Sequence, residues 1–262
     1  MGLFARRWWL EENSLALRRA ERRTTRRIVA MQKRDGSFGS LPTTIRYLFA
    51  LHLLQRASSN ESDRALDWLW ETGLARPEPR RSQDGVVYQD LLLRIGRGEA
   101  ARLSRMTGTP FNPGCSGFIK TGAGILLASG FGRGREARVQ RALRCLDEVI
   151  TARNGLWCTP VCSNNILQAY AAHPDACRGR GLARAVRALG KMQTATGSWP
   201  GLPFTSTFSA LATVDLREAR TQLKRALPLV RRSQNLDGSW GRGPRREFTS
   251  FQMVRALRAI EA

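Results

Sequence analysis

Three nonapeptides in this chain are variations on one pattern, and their spacing limits the possible folds more than any other feature. Met31-Gln32-Lys33-Arg34-Asp35-Gly36-Ser37-Phe38-Gly39, Met192-Gln193-Thr194-Ala195-Thr196-Gly197-Ser198-Trp199-Pro200 and Ser233-Gln234-Asn235-Leu236-Asp237-Gly238-Ser239-Trp240-Gly241 share Gln, a short polar spacer, then Gly-Ser-aromatic. Asn154-Gly155-Leu156-Trp157 keeps Gly-x-Trp and has lost the Gln. Trp157, Trp199 and Trp240 are 42 and 41 residues apart, and Phe38 precedes Trp157 by 119, close to three such steps. A period near forty residues is that of a stacked helix-pair repeat, in which each unit buries its apolar face only against its neighbours.

The flanking sequence fits helix pairs. Amphipathic stretches precede the motif, as in Leu182–Leu189, and follow it, as in Thr205–Ala212. First-of-pair helices are expected near 15–33, 61–74, 135–150, 180–193 and 218–233, and second-of-pair helices near 43–56, 115–130, 162–173, 204–214 and 246–261. Strand patterns are absent, so the class is all-α. One domain spans 1–262, with an irregular insertion at about 76–113 that holds Pro77-Glu78-Pro79 and a short helix around Tyr88–Leu93.

Residue types give the motif its role. Gly36, Gly197 and Gly238 end a helix and permit a positive φ; the rings of Phe38, Trp157, Trp199 and Trp240 pack between hairpins; Gln32, Gln193 and Gln234 bond backbone groups freed at a helix end. These residues are read as architecture, because chemistry rarely needs one group in every repeat.

Gln-x₃-Gly-Ser-Trp/Phe at the end of one helix, recurring in this way, resembles the QW-type repeat of squalene and oxidosqualene cyclases and of protein prenyltransferase β-subunits. The resemblance covers most of the chain outside 76–113. It implies an α/α toroid: first helices in an outer ring, second helices in an inner ring, and a central cavity that takes an isoprenoid chain or similar lipid. It also implies that a separate helical partner subunit is to be considered. The chain carries neither the Asp-x-Asp-Asp motif of class II cyclases nor the Asp-Asp-x-x-Asp cluster of class I terpene synthases. A lone acid such as Asp90 is then the candidate proton donor, against the plainer reading of a surface carboxylate. His52, between Leu51 and Leu53, is the second candidate, against that of a core histidine.

The Asp-x-Cys of prenyltransferase zinc sites occurs at Asp175-Ala176-Cys177, with no later His to complete it. Cys115, Cys158 and Cys162 make a better set. Each lies where a second-of-pair helix opens, so helix N-termini favour their thiolates, and three thiolates with a water suit Zn²⁺. Burial as small hydrophobes is the competing reading, and the evident one for Cys145.

The chain has 262 residues with 43 Lys+Arg against 21 Asp+Glu, a formal charge of +22. Such a balance favours anionic partners without choosing among nucleic acid, an anionic membrane surface, an acidic protein and a diphosphate substrate. Arg18, Arg19, Arg22, Arg23, Arg26 and Arg27 form one stripe on the first helix, opposite Leu17, Ala20, Thr24, Ile28 and Met31, and are the candidate anionic-partner face. No apolar run approaches the ~20 residues needed to span a bilayer, and the start Met1–Trp9 lacks a signal peptide's apolar core; a cytoplasmic protein, peripheral to a membrane at most, is expected. An odd number of Cys argues against a disulfide framework. Two readings stand: an isoprenoid-binding toroid that acts on its ligand, and a non-catalytic scaffold that uses its basic face.

Overall fold

The computed structural model describes residues 15–54, 59–73, 80–81, 87–88, 116–157, 160–243 and 246–261. Ten α-helices lie in these segments. The outer layer comprises α1 (Leu15–Val29), α3 (Asn60–Trp68, continued as a π-helical turn over Leu69–Gly73), α5 (Ala137–Ala152), α7 (Arg180–Met192) and α9 (Arg217–Arg232). The inner layer comprises α2 (Leu41–Leu53), α4 (Ser116–Gly130), α6 (Pro160–Ala172), α8 (Phe204–Leu211) and α10 (Arg246–Glu261). Inner helices pack in chain order, α2 on α4, α4 on α6, α6 on α8 and α8 on α10. Outer helices α5, α7 and α9 do the same.

Sequence chemistry explains the two layers. On α7, Leu182, Ala185, Val186 and Leu189 are buried on one face while Arg180, Arg187 and Lys191 stand in solvent, the pattern of a helix wet on one side. The inner helix α4, Ser-Gly-Phe-Ile-Lys-Thr-Gly-Ala-Gly-Ile-Leu-Leu-Ala-Ser-Gly, is buried all round from Thr121 to Ile125, as its lack of a polar face and its small residues require. Ser40 caps α2 by accepting from the Thr43 amide, and Ser59 forms a capping box with Ser62 at α3.

The motif loops join one pair to the next. Trp157 is fully buried; its indole donates to Leu146 O at 2.9 Å and its ring meets Tyr170 with centroids 4.9 Å apart. Trp240 donates likewise to Val230 O, 3.1 Å. Gln32 Nε2 donates to Gly36 O (2.9 Å) and across to Glu61 O of α3 (2.7 Å). Gln193 Nε2 does the same to Gly197 O (3.1 Å) and Gln222 O of α9 (2.8 Å). Ion pairs join α3 to the start of α5: Asp67 takes both Arg133 and Arg138, and Arg133 donates to Asp63 O at 3.1 Å.

Two expectations are corrected. A two-residue antiparallel ladder, β1 (Arg80–Arg81) with β2 (Val87–Tyr88), pairs Arg80 with Tyr88 and Arg81 with Val87, so Tyr88 belongs to a strand and does not start a helix. Two residues are too few for an alternating pattern to show, although Val and Tyr favour extended backbone. The first helix ends at Val29, and Met31 is 47% exposed instead of sharing the apolar face, because helical periodicity stops where the helix does.

Candidate functional site

The chemistry of the inner layer is one-sided. Helices α2, α4, α6 and α8 contain no Asp or Glu; on α10 only Glu247 and Glu261 are acidic, near its two ends. The polar groups are neutral or basic. Asn164 on α6 is fully buried and donates to Thr207 Oγ1 at 2.8 Å and Ser206 Oγ at 3.4 Å on α8. Its Oδ1 has no partner among the described residues.

His52 lies near the end of α2, half-buried. Its imidazole meets the Phe131 ring edge-on, centroids 6.0 Å apart, and rests on Gly130: a β-carbon there would come within 2.6 Å of Cε1 and Nδ1. Burial, and then the charge of Arg255 on α10, hold His52 below the ordinary imidazole range. Arg255 is reached by solvent, yet desolvation lowers its guanidinium. The last inner helix thus places a cation within electrostatic reach of a histidine on the first. Phe49 and Ala50 of α2, Leu126 of α4 and Phe204 of α8 add partly exposed apolar surface on the same layer.

The sequence candidates fall as follows. His52 sits on the inner layer as described. Asp90, Cys115 and Cys158 lie outside the described residues, and Cys162 is in the first turn of α6, its side chain not described. Among the described residues no group of three or more His, Cys, Asp or Glu is arranged to hold a metal. Asp175 is held by Arg135 at 3.0 Å, and Cys177 Sγ donates to Pro174 O, which leaves neither poised as a ligand. Arg18, Arg19, Arg22, Arg23, Arg26 and Arg27 are all exposed on α1. No helix among the described residues is long and apolar enough to cross a membrane.

Sequence reasoning passed over Arg255 and Asn164. An Arg at 255, on the opposite face of α10 from buried Met253 and Ala256, was a readable signal once that helix was placed inside the ring. Asn164 carried none, since a buried amide looks the same in sequence as an exposed one.

No protein-family model matches the chain, and no curated protein matches it in sequence. Solved structures do. A protein from Actinoplanes aligns over 99% of this chain and 89% of its own, with TM-score 0.59 and 19% identity. The type II terpene cyclase MstE from Scytonema, in complex with its substrate geranylgeranyl dihydroxybenzoate, aligns over 99% of this chain and 86% of its own, with TM-score 0.59 and 13% identity. The same cyclase in complex with its product, merosterolic acid A, aligns over 98% and 85%, with TM-score 0.60 and 14% identity. The chain has the α/α toroid fold of the terpenoid cyclases.

Proposed function

We propose that the chain binds an isoprenoid or similar prenylated lipid inside its ring, with the apolar tail on the inner helices and an anionic or hydroxyl-bearing head toward His52 and Arg255. The observation that supports this most is an inner layer of apolar, neutral and basic groups in a fold whose solved neighbours hold a geranylgeranyl substrate and its product. An apolar hollow gains roughly 25 cal/mol per Å² of lipid surface taken from water, and one desolvated guanidinium gives the head a charge-assisted partner.

The chemistry that follows binding is a finer proposal. Four inner helices without a carboxylate give no acid of the kind that protonates an alkene, so ligand transformation would fall to Asp90 or to His52. His52, held neutral, suits accepting a proton from a cationic intermediate better than starting one. Cys115, Cys158 and Cys162 are the thiolates that would hold a Zn²⁺ ion, which would activate a bound water or thiol.

Native mass spectrometry of the purified protein, alone and after addition of geranylgeranyl dihydroxybenzoate or geranylgeranyl diphosphate, tests the reading. A 1:1 complex weakened at least tenfold by Arg255→Gln supports it, and absence of any prenyl complex sinks it. The same spectra show stoichiometric zinc or its absence. Incubation followed by product analysis separates an enzyme from a carrier.

A second reading rests on the exposure of all six α1 arginines. A scaffold without catalysis would bring this face to an anionic membrane surface, nucleic acid or acidic protein, alone or with a partner subunit. Binding would fall steeply with salt and be lost in Arg22→Glu/Arg26→Glu.

A further inference from the structure

The joints that carry a motif loop share one geometry, and the last of them is left uncovered among the described residues. At three joints the motif glycine lies so close to the next outer helix that a β-carbon would collide with it. The obstacles are the Arg64 carbonyl on α3 for Gly36 (2.6 Å), Ala188 Cβ and the Arg184 carbonyl on α7 for Gly155 (2.6 and 2.9 Å), and the backbone of Arg225 and Ala226 on α9 for Gly197. At two of these joints the motif Gln also reaches across, to Glu61 O and to Gln222 O, each three residues before the touching arginine. Arg64 in return donates to the Arg34 carbonyl of the loop it meets, 2.6 Å. A motif loop is therefore a socket for a helix that presents an Arg carbonyl.

The socket at 233–241 has the same parts and, among the described residues, no helix in it. Gln234 Nε2 donates to Gly238 O at 2.8 Å, like its counterparts, but the side chain is exposed where Gln193 is buried. Around Gly238, among the described residues, only Gln234 comes within 4 Å of a built β-carbon. Leu236, at the loop tip, is fully exposed.

Among the described residues, one helix of the matching kind, α1, buries little of its surface. Arg184 and Arg225 each precede their own motif Gln by nine residues; Arg23 precedes Gln32 by the same nine. The residues after them, Ala185 and Ala226, are buried, while Thr24 on α1 stays partly exposed. Ile28 is the one residue of α1 that is buried among those described, against four or five on α7 and α9. The chain's own α1 does not cover Leu236, even though Arg255 and His52 bring the ends of the inner layer within electrostatic reach.

We propose that α1 of a second copy of this chain fills the socket at 233–241, with its Arg23 carbonyl at Gly238 and Leu236 against its Ala20–Thr24 face. Each molecule carries one socket and one such helix, so two copies related by a two-fold axis make the contact twice and close the pair. The like charges of α1 and α9 are no obstacle of a new kind, since α7 and α9 already pack together with arginines and a lysine on each.

The test uses the full chain with photoreactive p-benzoylphenylalanine at Leu236, prepared in ¹⁴N and ¹⁵N forms and mixed before irradiation. The expected result is cross-linked peptides of mixed isotope joining 233–241 to 15–29, with a mass of two chains by light scattering that falls to one chain in both Leu236→Asp and Arg23→Glu. Both substitutions are at exposed positions, and circular dichroism verifies that each variant folds. Cross-links of a single isotope only would show the chain's own α1 in the socket and overturn the proposal. So would a one-chain mass across the concentration range, or cross-links to any segment other than α1.

Discussion

Gln193 and Gln222 form one bonded unit across the joint between α7 and α9. Gln193 Nε2 donates to Gln222 O at 2.8 Å, Gln222 Nε2 donates to Val186 O at 2.8 Å, and Gln222 Oε1 accepts from the Trp199 indole at 3.3 Å. Two amide side chains thereby hold two outer helices and a motif aromatic in register. Among the described residues the Gln234 side chain makes only the bond inside its own loop.

That contrast ranks two substitutions of the same type. Gln193→Ala strands buried carbonyls on both sides of a joint, and should cost about 1–2 kcal/mol; the figure stays below about 3 because Gln193 Oε1 itself has no partner among the described residues. Gln234→Ala, at an exposed side chain, should cost no more than about 0.5 kcal/mol. Urea unfolding of the two variants checks this, and equal losses would contradict a joint role for Gln193.

Gly197 and Gly238 give a second pair. Both have positive φ, +89° and +79°, so a β-carbon at either strains the backbone by about 1 kcal/mol. At Gly197 it also overlaps Arg225 and Ala226 of the next helix, which cannot retreat without parting the joint. Gly197→Ala should therefore lose at least about 2 kcal/mol more than Gly238→Ala. Thermal unfolding measures the gap, and a gap near zero would mean that α7 and α9 are not in close contact.

His52 gives a pH dependence whose sign is fixed by its surroundings. Burial and then Arg255 lower its folded pKa below the 6.5 of a free imidazole, so the unfolded chain takes the proton more readily. The stability owed to neutral His52 is complete above about pH 6.5 and drains as pH falls toward the folded value. The Cε1 proton in NMR should titrate below 6.5 and move up part of the way in Arg255→Gln, because burial, the larger cause, remains. A midpoint at or above 6.5 would contradict the burial of His52 beside Arg255.

How far the sequence was legible depended on how local each signal is. The helix pairs were, because Leu182, Ala185, Val186 and Leu189 repeat at helical spacing and Gly-Ser-Trp marks a stop that needs no distant partner. The second bond of Gln193 was not, since its acceptor lies 29 residues away and only the assembled joint brings it near. The nearness of Arg255 to His52 was hidden for the same reason: one is on α10 and the other on α2, and only the assembled inner layer brings them within electrostatic reach. Cys115 and Cys158 show the converse case, a chemically reasonable set whose members fall on segments the described structure does not include.

Asp67 joins α3 to the start of α5 by charge, where the motif joints among the described residues use neutral hydrogen bonds, and that makes its chemistry different. Burial raises its pKa, and the bonds from Arg133 and Arg138 more than reverse this, leaving the carboxylate below its ordinary range. Here the folded chain binds the proton less readily than the unfolded one, so the pair's stability is present above about pH 4 and is lost as pH falls through the folded value. The Asp67 side chain is 41% exposed, against 21% for Arg133 and 20% for Arg138, so solvent screens much of the attraction. Asp67→Asn should cost about 1 kcal/mol at low ionic strength and roughly half of that in 1 M NaCl, where the Debye length is about 3 Å. The motif joints rest on buried neutral hydrogen bonds and should give Gln193→Ala the same cost in both salts. Chemical denaturation of the two variants at both ionic strengths separates the kinds of joint; a salt-independent loss for Asp67→Asn would mean that packing, not charge, holds α3 to α5.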